Sequence, residues 1–218
     1  MPLYFFLIIF AVASTAYIAM IRRLPFPGDF VLKALPIWVL ATISFMGIPG
    51  IWGPLMGFGF LLSSVGDVSL AFSDRNKHQG NKDAAEKLFI VGLGSFLLAH
   101  VVYVVAFAWI GVFDWSRWWL LILLAGYAIG MVVVLSPKLG EMRIPVFLYI
   151  AVIAAMAFFA TITIMPRPWV LISGAILFML SDSMIAIDKF LSPYPWSKYF
   201  IMTTYYGGQF LMCMAFFP

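Results

Sequence analysis

Eight stretches of the chain run through apolar residues with little interruption, and short turn-forming or charged segments separate them. They are Leu3 to Ile21, Phe30 to Gly47, Ile51 to Phe72, Leu88 to Ile110, Trp118 to Leu135, Ile144 to Ile164, Trp169 to Ile187 and Tyr199 to Phe217. A helix needs about 20 apolar residues to cross ~30 Å of hydrocarbon, so each stretch predicts one transmembrane helix. Gly47-Ile48-Pro49-Gly50 and Met165-Pro166-Arg167-Pro168 are breakers that turn the chain with few polar residues. The second and third helices are the least clearly divided, because Ile48 to Pro54 is itself apolar. The predicted fold class is all-α: a polytopic transmembrane helical bundle of about eight spans, forming a single integral membrane domain over residues 1–218. Nothing is left over for a soluble domain.

One longer hydrophilic stretch, Ser73 to Lys87, interrupts the pattern. Its mixed charges predict a solvated loop carrying His78, with Asp83 through Lys87 extending the fourth helix beyond the membrane. The first stretch has small residues, Ala11-Val12-Ala13-Ser14, where a signal peptide is cut. Yet no basic segment precedes it and Arg22-Arg23 follow, so it is expected to be a retained helix.

Composition narrows the class further. The chain is 64% hydrophobic and only 10% charged, with a mean hydropathy of +1.05. A soluble domain carries about a quarter charged residues to wet its surface, so this surface must meet lipid. The 22 Phe, 9 Tyr and 8 Trp suit a bilayer, where amphipathic rings collect at the interfaces. The net charge of +4 is explained by membrane orientation rather than by nucleic acid, because the basic residues sit in short loops. The lone Cys213 excludes an intrachain disulfide framework.

Loops after odd-numbered spans hold Arg22, Arg23, Arg75, Lys77, Lys82, Lys87, Lys138, Arg143, Lys189 and Lys198. Loops after even-numbered spans hold only Arg117 and Arg167, while Lys33 opens the second helix. That asymmetry places both termini away from the cytoplasm. Trp109, Trp115, Trp118 and Trp169 then mark the outer interface, and Tyr194 and Trp196 the inner one.

Candidate chemistry comes from polar groups inside the spans. A carboxylate among lipid tails costs at least about 2.5–3.5 kcal/mol, yet Asp67 and Asp182 both lie within apolar stretches. Shifted by 115 residues, Gly59 to Ala71 superposes on Gly174 to Ala186 with Gly, Leu, Asp and Ala in common. A shift of four helices preserves direction, which is consistent with two parallel four-helix halves. Each Asp lies roughly 8–9 Å inside the core from the cytoplasmic end, at 1.5 Å rise per residue. Tyr205 and Tyr206 reach about the same level. Gln209 lies at roughly 15 Å and His100 at roughly 18 Å by the same rise. His100 therefore needs water, a helix offset or substrate to join the two Asp.

The plain structural alternative is that these groups only fasten helices together, as Ser63, Ser64, Ser181 and Ser183 commonly would. Lys33 is expected to snorkel to the inner surface, or to meet a lipid phosphate there. Two histidines and one cysteine, widely separated, offer no metal-ligand spacing, so neither a metal nor an organic cofactor is expected. No nucleophile elbow, phosphate loop or dinucleotide fingerprint occurs.

The chain resembles the YhhN-like lysoplasmalogenases, eight-span membrane proteins of bacteria and animals. Four segments carry the likeness: Ser63-Ser64-Val65-Gly66-Asp67-Val68-Ser69-Leu70, Phe96-Leu97-Leu98-Ala99-His100-Val101-Val102-Tyr103, Phe178 to Ala186, and Tyr205-Tyr206-Gly207-Gly208-Gln209. Where the family usually has Lys-Pro, this chain has Lys33-Ala34, with Pro36 later. The resemblance implies hydrolysis of the vinyl ether bond of lysoplasmalogens, giving a fatty aldehyde and a glycerophospho-alcohol. It implies Asp67 and Asp182 as catalytic residues, with Lys33, Ser63, His100, Tyr103, Tyr205, Tyr206 and Gln209 supporting them or binding substrate. The implied partners are a lysophospholipid substrate and membrane lipid, with no nucleic acid, and the implied location is a bacterial cell membrane.

The residues suit that reaction for independent reasons. A vinyl ether hydrolyses by slow protonation of its β-carbon, and water captures the resulting oxocarbenium ion. Glycosidases divide two carboxyls between similar tasks. Two carboxyls in one low-dielectric layer are also expected to hold one proton between them near neutral pH. A transporter with a paired-Asp site, or a membrane scaffold, would explain the same residues without hydrolysis.

The charge asymmetry has a direct check. Reporter fusions after Lys87 and at Pro218 are expected to report opposite sides of the membrane, the former cytoplasmic. A cytoplasmic carboxyl terminus would contradict the assigned orientation.

Overall fold

The computed structural model describes residues 3–109 and 112–217. Among these, eight α-helices follow in order: α1 Leu3–Met20, α2 Asp29–Gly47, α3 Trp52–His78, α4 Lys82–Ala108, α5 Trp119–Leu135, α6 Arg143–Ile162, α7 Pro168–Phe190 and α8 Ser197–Met214. No β-strand occurs among the described residues, only an isolated antiparallel bridge between Phe113 and Thr163. Lipid offers no hydrogen bonds, so a spanning backbone must satisfy its own polar groups, and helices do this within one segment. Ile110, the expected end of the fourth span, lies outside the described residues.

Seven helices, α1 to α7, are long and apolar enough to cross a membrane. The eighth falls short because Thr203 to Gln209 dilute its apolar content. It buries Tyr205, Tyr206 and Gln209 instead of presenting them outward. Large apolar side chains remain exposed on other helices, including Ile8 and Val12 on α1 and Ile129 and Val133 on α5. A water-facing surface would not carry them in such number. The chain is an integral membrane protein of helical, polytopic architecture.

The chain divides into two compact units, Met1–Val102 and Tyr103–Pro218, with the division inside α4. In the first unit, α2 and α3 form an antiparallel hairpin. The backbone N–H of Ile48 closes α2 by donating to the Ser44 carbonyl at 3.2 Å. A Cβ on Gly53 would lie 2.4 Å from the Ile48 carbonyl oxygen, so only glycine lets α3 begin this close to the turn. At the open end of the hairpin, the Arg75 guanidinium donates to Asp29 Oδ1 at 2.6 Å and to the Phe26 carbonyl at 3.0 Å. The Phe30 and Phe72 rings meet one turn further in, with centroids 5.0 Å apart.

That Arg75 anchor corrects the expected solvated loop. Helix α3 continues to His78 and α4 begins at Lys82, leaving only Gln79 to Asn81 between them. Gly80 takes the left-handed conformation, φ +80°, that the tight turn requires. The Ser73 hydroxyl donates across to the Ala85 carbonyl at 2.6 Å. Mixed charge therefore marked two helix ends held by specific partners. Residues 83–87 do extend the fourth helix, as expected.

In the second unit, α7 and α8 approach backbone to backbone. A Cβ on Gly174 would lie 2.7 Å from the Met212 nitrogen. One on Gly208 would lie 2.8 Å from both the Gly174 oxygen and the Phe178 nitrogen. The connection before α5 is tied to the last turn of α6 through Arg117, which pairs with Asp114 at 3.1 Å and donates to the Thr161 carbonyl at 3.2 Å. The Ser116 hydroxyl and N–H, and then Arg117, hold the exposed Asp114 carboxyl below the usual carboxylate range.

The glycine crossing makes a prediction. Gly208→Ala must displace backbone and is expected to cost about 1–3 kcal/mol, as overpacking does. Gly94→Ala, with nothing within 4 Å of the added methyl, is expected to leave stability unchanged. Thermal unfolding of both variants in detergent checks the contrast; equal melting temperatures would contradict it.

Candidate functional site

Each unit holds one of the two intramembrane aspartates, in the second helix of an antiparallel hairpin. Asp67 on α3 is 1% exposed and Asp182 on α7 is 4% exposed. A buried charge needs a partner or a proton, so what touches each carboxyl decides what it can do.

In the first unit the partner of Asp67 is Lys33. Its Nζ lies 3.7 Å from Asp67 Oδ1, with the two side chains 9% and 2% exposed. This corrects the expectation that Lys33 snorkels to the surface. Lys33 sits 14 residues before the end of α2 at Gly47, and Asp67 sits 15 residues after the start of α3 at Trp52. An antiparallel hairpin brings those positions level. The separation is that of an ion pair rather than a close hydrogen bond. Ser63, one turn before Asp67, is fully buried. Tyr17 of α1 is also buried, within electrostatic reach of Asp67, Asp74 and Asp29.

His100 is fully buried on α4, and its Nδ1 lies 2.7 Å from the carbonyl oxygen of Phe96 on the same helix. A carbonyl can only accept, so Nδ1 carries the hydrogen and Nε2 is the acceptor nitrogen of the neutral ring.

In the second unit, the Tyr149 hydroxyl of α6 donates to Asp182 Oδ2. The neighbouring Ser183 accepts a hydrogen bond from Tyr127 of α5 and donates to the Met179 carbonyl at 2.7 Å. Tyr127 and Ser183 thus fasten α5 to α7. Ser181 donates to the Ile201 carbonyl at 3.0 Å, fastening α7 to α8. Tyr103 donates to Gln209 Oε1 at 3.0 Å. Tyr205 packs edge-on against Phe178 at 5.5 Å and lies 5.4 Å from Tyr206.

Of the expected site residues, the structure joins Lys33 to Asp67, Tyr103 to Gln209, and Tyr205 to Tyr206. It adds Tyr149, Tyr127, Tyr17 and Asp29, which sequence reasoning did not single out. Tyrosine in an apolar helix reads as an interface anchor, and only its hairpin position signals otherwise. Tyr149 lies 13 residues before the end of α6 and Asp182 lies 14 after the start of α7, again level across a turn. Among the described residues, no three His, Cys, Asp or Glu side chains converge closely enough to hold a metal ion.

A model of the YhhN family matches residues 28–216, nearly the whole chain. The chain belongs to the YhhN family. Lys33, Asp67, His100, Tyr149, Asp182 and Gln209 all lie inside the stretch matched to the YhhN model, whereas Tyr17 of α1 lies before it. Among similar proteins, lysoplasmalogenase TMEM86A of Bos taurus is 29% identical over 204 residues, covering 83% of this chain and 79% of the relative. Lysoplasmalogenase TMEM86B of Homo sapiens is 29% identical over 185 residues, covering 84% and 73%. A lysoplasmalogenase of Mycobacterium bovis is 31% identical over 134 residues, covering 59% and 51%. No solved structure matches this YhhN chain significantly.

Proposed function

We propose that this chain is a lysoplasmalogenase, a membrane hydrolase that cleaves the vinyl ether bond of lysoplasmalogens. Its products are a fatty aldehyde and glycerophosphoethanolamine or glycerophosphocholine. The observation that carries this reading is that relatives named lysoplasmalogenase match over most of both chains. Those names support an enzyme over a transporter or scaffold.

Each unit contributes one buried carboxyl with its own partner, and the reaction calls for two carboxyl tasks. A carboxylic acid gives its proton to the β-carbon of the vinyl ether, leaving an oxocarbenium ion. A carboxylate offsets that positive charge. Water adds to the cationic carbon and returns a proton to the acid, giving a hemiacetal. Collapse of the hemiacetal releases the aldehyde and the glycerol hydroxyl, so one water is consumed and both carboxyls are regenerated. Asp67 and Asp182 fill the two tasks in this reading. His100, Ser63, Tyr103, Tyr205, Tyr206, Gln209 and Lys33 are the supporting or substrate-binding residues in the same reading. The chain lies in a bacterial cell membrane with both termini on the non-cytoplasmic side, as the ten-to-two distribution of basic loop residues supports.

Purified protein incubated with a lysoplasmalogen is expected to release free aldehyde, and none from a saturated ether lipid of the same headgroup. Asp67→Asn and Asp182→Asn are each expected to lower turnover at least about 100-fold while remaining folded, since positioned acid–base groups contribute about 10²–10⁴-fold. The double variant is expected to fall by much less than the product, because groups acting on one step are non-additive. Near-normal aldehyde release by a folded Asp182→Asn protein would contradict the two-carboxylate mechanism.

A further inference from the structure

The α2–α3 hairpin carries two ion pairs in one column. Asp29 and Lys33 stand one helical turn apart on α2, so they share a face of that helix. Asp29 meets Arg75 at 2.6 Å and Lys33 meets Asp67 at 3.7 Å. At 1.5 Å rise per residue, the two pairs are about 6 Å apart along α2. Exposure falls along the column. The Arg75 side chain is 25% exposed, whereas those of Lys33 and Asp67 are 9% and 2% exposed. Arg75 therefore marks the rim of the first unit, and Asp67 lies at the buried end.

Specific contacts fix the guanidinium of Arg75. Its Nη2 donates both to Asp29 Oδ1 and to the Phe26 carbonyl, at 2.6 and 3.0 Å. Its Cζ lies 5.4 Å from the centroid of the Phe72 ring on the same helix. A guanidinium has five N–H donors in a rigid fork, and the bonds made among the described residues use Nη2 alone. The Nε and Nη1 donors keep a fixed plane, the arrangement that grips two oxygens of one phosphate. Asp29 offsets one positive charge, yet the rim remains basic. Arg22, Arg23, Lys77 and Lys82 are exposed on the segments that Arg75 joins, and outnumber Asp74 and Asp83 there.

We propose that Arg75 binds the phosphate of the lysophospholipid and so sets the depth at which its vinyl ether meets Asp67. The role of the vinyl ether rests on the hydrolase reading, and that of the phosphate on the Arg75 geometry alone. The six bonds from the phosphate ester oxygen to the β-carbon, at roughly 1.1–1.2 Å advance per bond of an extended chain, span about 7 Å. That span is close to the spacing of the two ion pairs. A phosphate held at Arg75 thus brings the reacting carbon level with Asp67. Lys33, buried against Asp67, leaves the rim and its phosphate to Arg75.

Binding of a saturated alkyl-ether lysophospholipid to the purified full chain, measured by native mass spectrometry in detergent, reads this site without turnover. Arg75→Gln is expected to weaken binding about 10–100-fold, the worth of hydrogen bonds to a charged group. Binding of an alkylglycerol, which lacks the phosphate, is expected to stay unchanged. Because Arg75→Gln strips buried Asp29 of its cation, a second comparison sets Asp29→Asn against the Asp29→Asn, Arg75→Gln double variant. Neither leaves an unpaired carboxylate at position 29, and only the first keeps the guanidinium. The same 10–100-fold difference is expected between them. Inorganic phosphate is expected to displace the lipid only at far higher concentration, since it lacks the apolar chain; displacement at equal concentration would mark a site for free phosphate and overturn the lipid assignment. With lysoplasmalogen as substrate, the double variant is expected to show lower kcat/KM than Asp29→Asn, with no loss toward an alkenylglycerol. Equal losses toward both lipids, or no loss toward either, would overturn the proposal. Absence of aldehyde release from wild-type protein would defeat the hydrolase reading, and alkyl-ether binding would still decide whether Arg75 holds the phosphate.

Discussion

An ionised side chain inside a membrane span must be compensated on the spot, because neither lipid tails nor bulk water can do it. In the first unit that requirement falls on Lys33 and Asp67, and the α2–α3 hairpin is arranged around meeting it. Two unit charges 3.7 Å apart attract by about 4 kcal/mol at an effective dielectric near 20. Stripping each ion of water costs several kcal/mol. The two terms are of similar size, so the pair adds little net stability. Its value lies in specificity: a slip of α2 along α3 would leave two buried charges unpaired. The second pair, Asp29 with Arg75, reinforces the same register at the open end of the hairpin. Its charges run in the opposite sense, acid on α2 and base on α3. A register that satisfies both pairs is strongly specified.

In the second unit Asp182 accepts a hydrogen bond from the Tyr149 hydroxyl, and the α7–α8 contact is set by steric fit at Gly174 and Gly208. Backbone-to-backbone approach through small residues is a common way to pack helices in lipid. It also allows α8, the least apolar helix, to keep its Tyr205-Tyr206-Gly207-Gly208-Gln209 run largely covered.

Much of this was legible in the sequence because membrane spans are defined by a local property, the length of an apolar run. The ends of α2, α5 and α6 fall within two residues of their expected places. The failures came where a distant partner decides the outcome. Ser73 to His78 looked like loop until Asp29 and Ala85 supplied bonds that hold it as helix. Lys33 looked like a snorkelling side chain because its distance to water is local, whereas Asp67 is 34 positions away. Tyr149 was overlooked because tyrosine is ordinary in membrane helices. Counting residues outward from each turn would have paired both partners with their aspartates. The α8 motif was legible as a polar run, but not that Tyr205 packs edge-on against Phe178 and lies beside Tyr206.

If the buried ion pair serves chemistry and register rather than bulk stability, it can be removed as a unit without unfolding the chain. The decisive measurement compares the Lys33→Met, Asp67→Leu double variant with wild type for both thermal stability in detergent and aldehyde release from lysoplasmalogen. Replacing a buried pair by apolar residues of similar volume is often neutral or stabilising by about 1–4 kcal/mol. The expected result is a melting temperature equal to or above that of wild type, with vinyl ether hydrolysis lost. A stable double variant that still released aldehyde at the wild-type rate would show that Asp67 and Lys33 only fasten helices together.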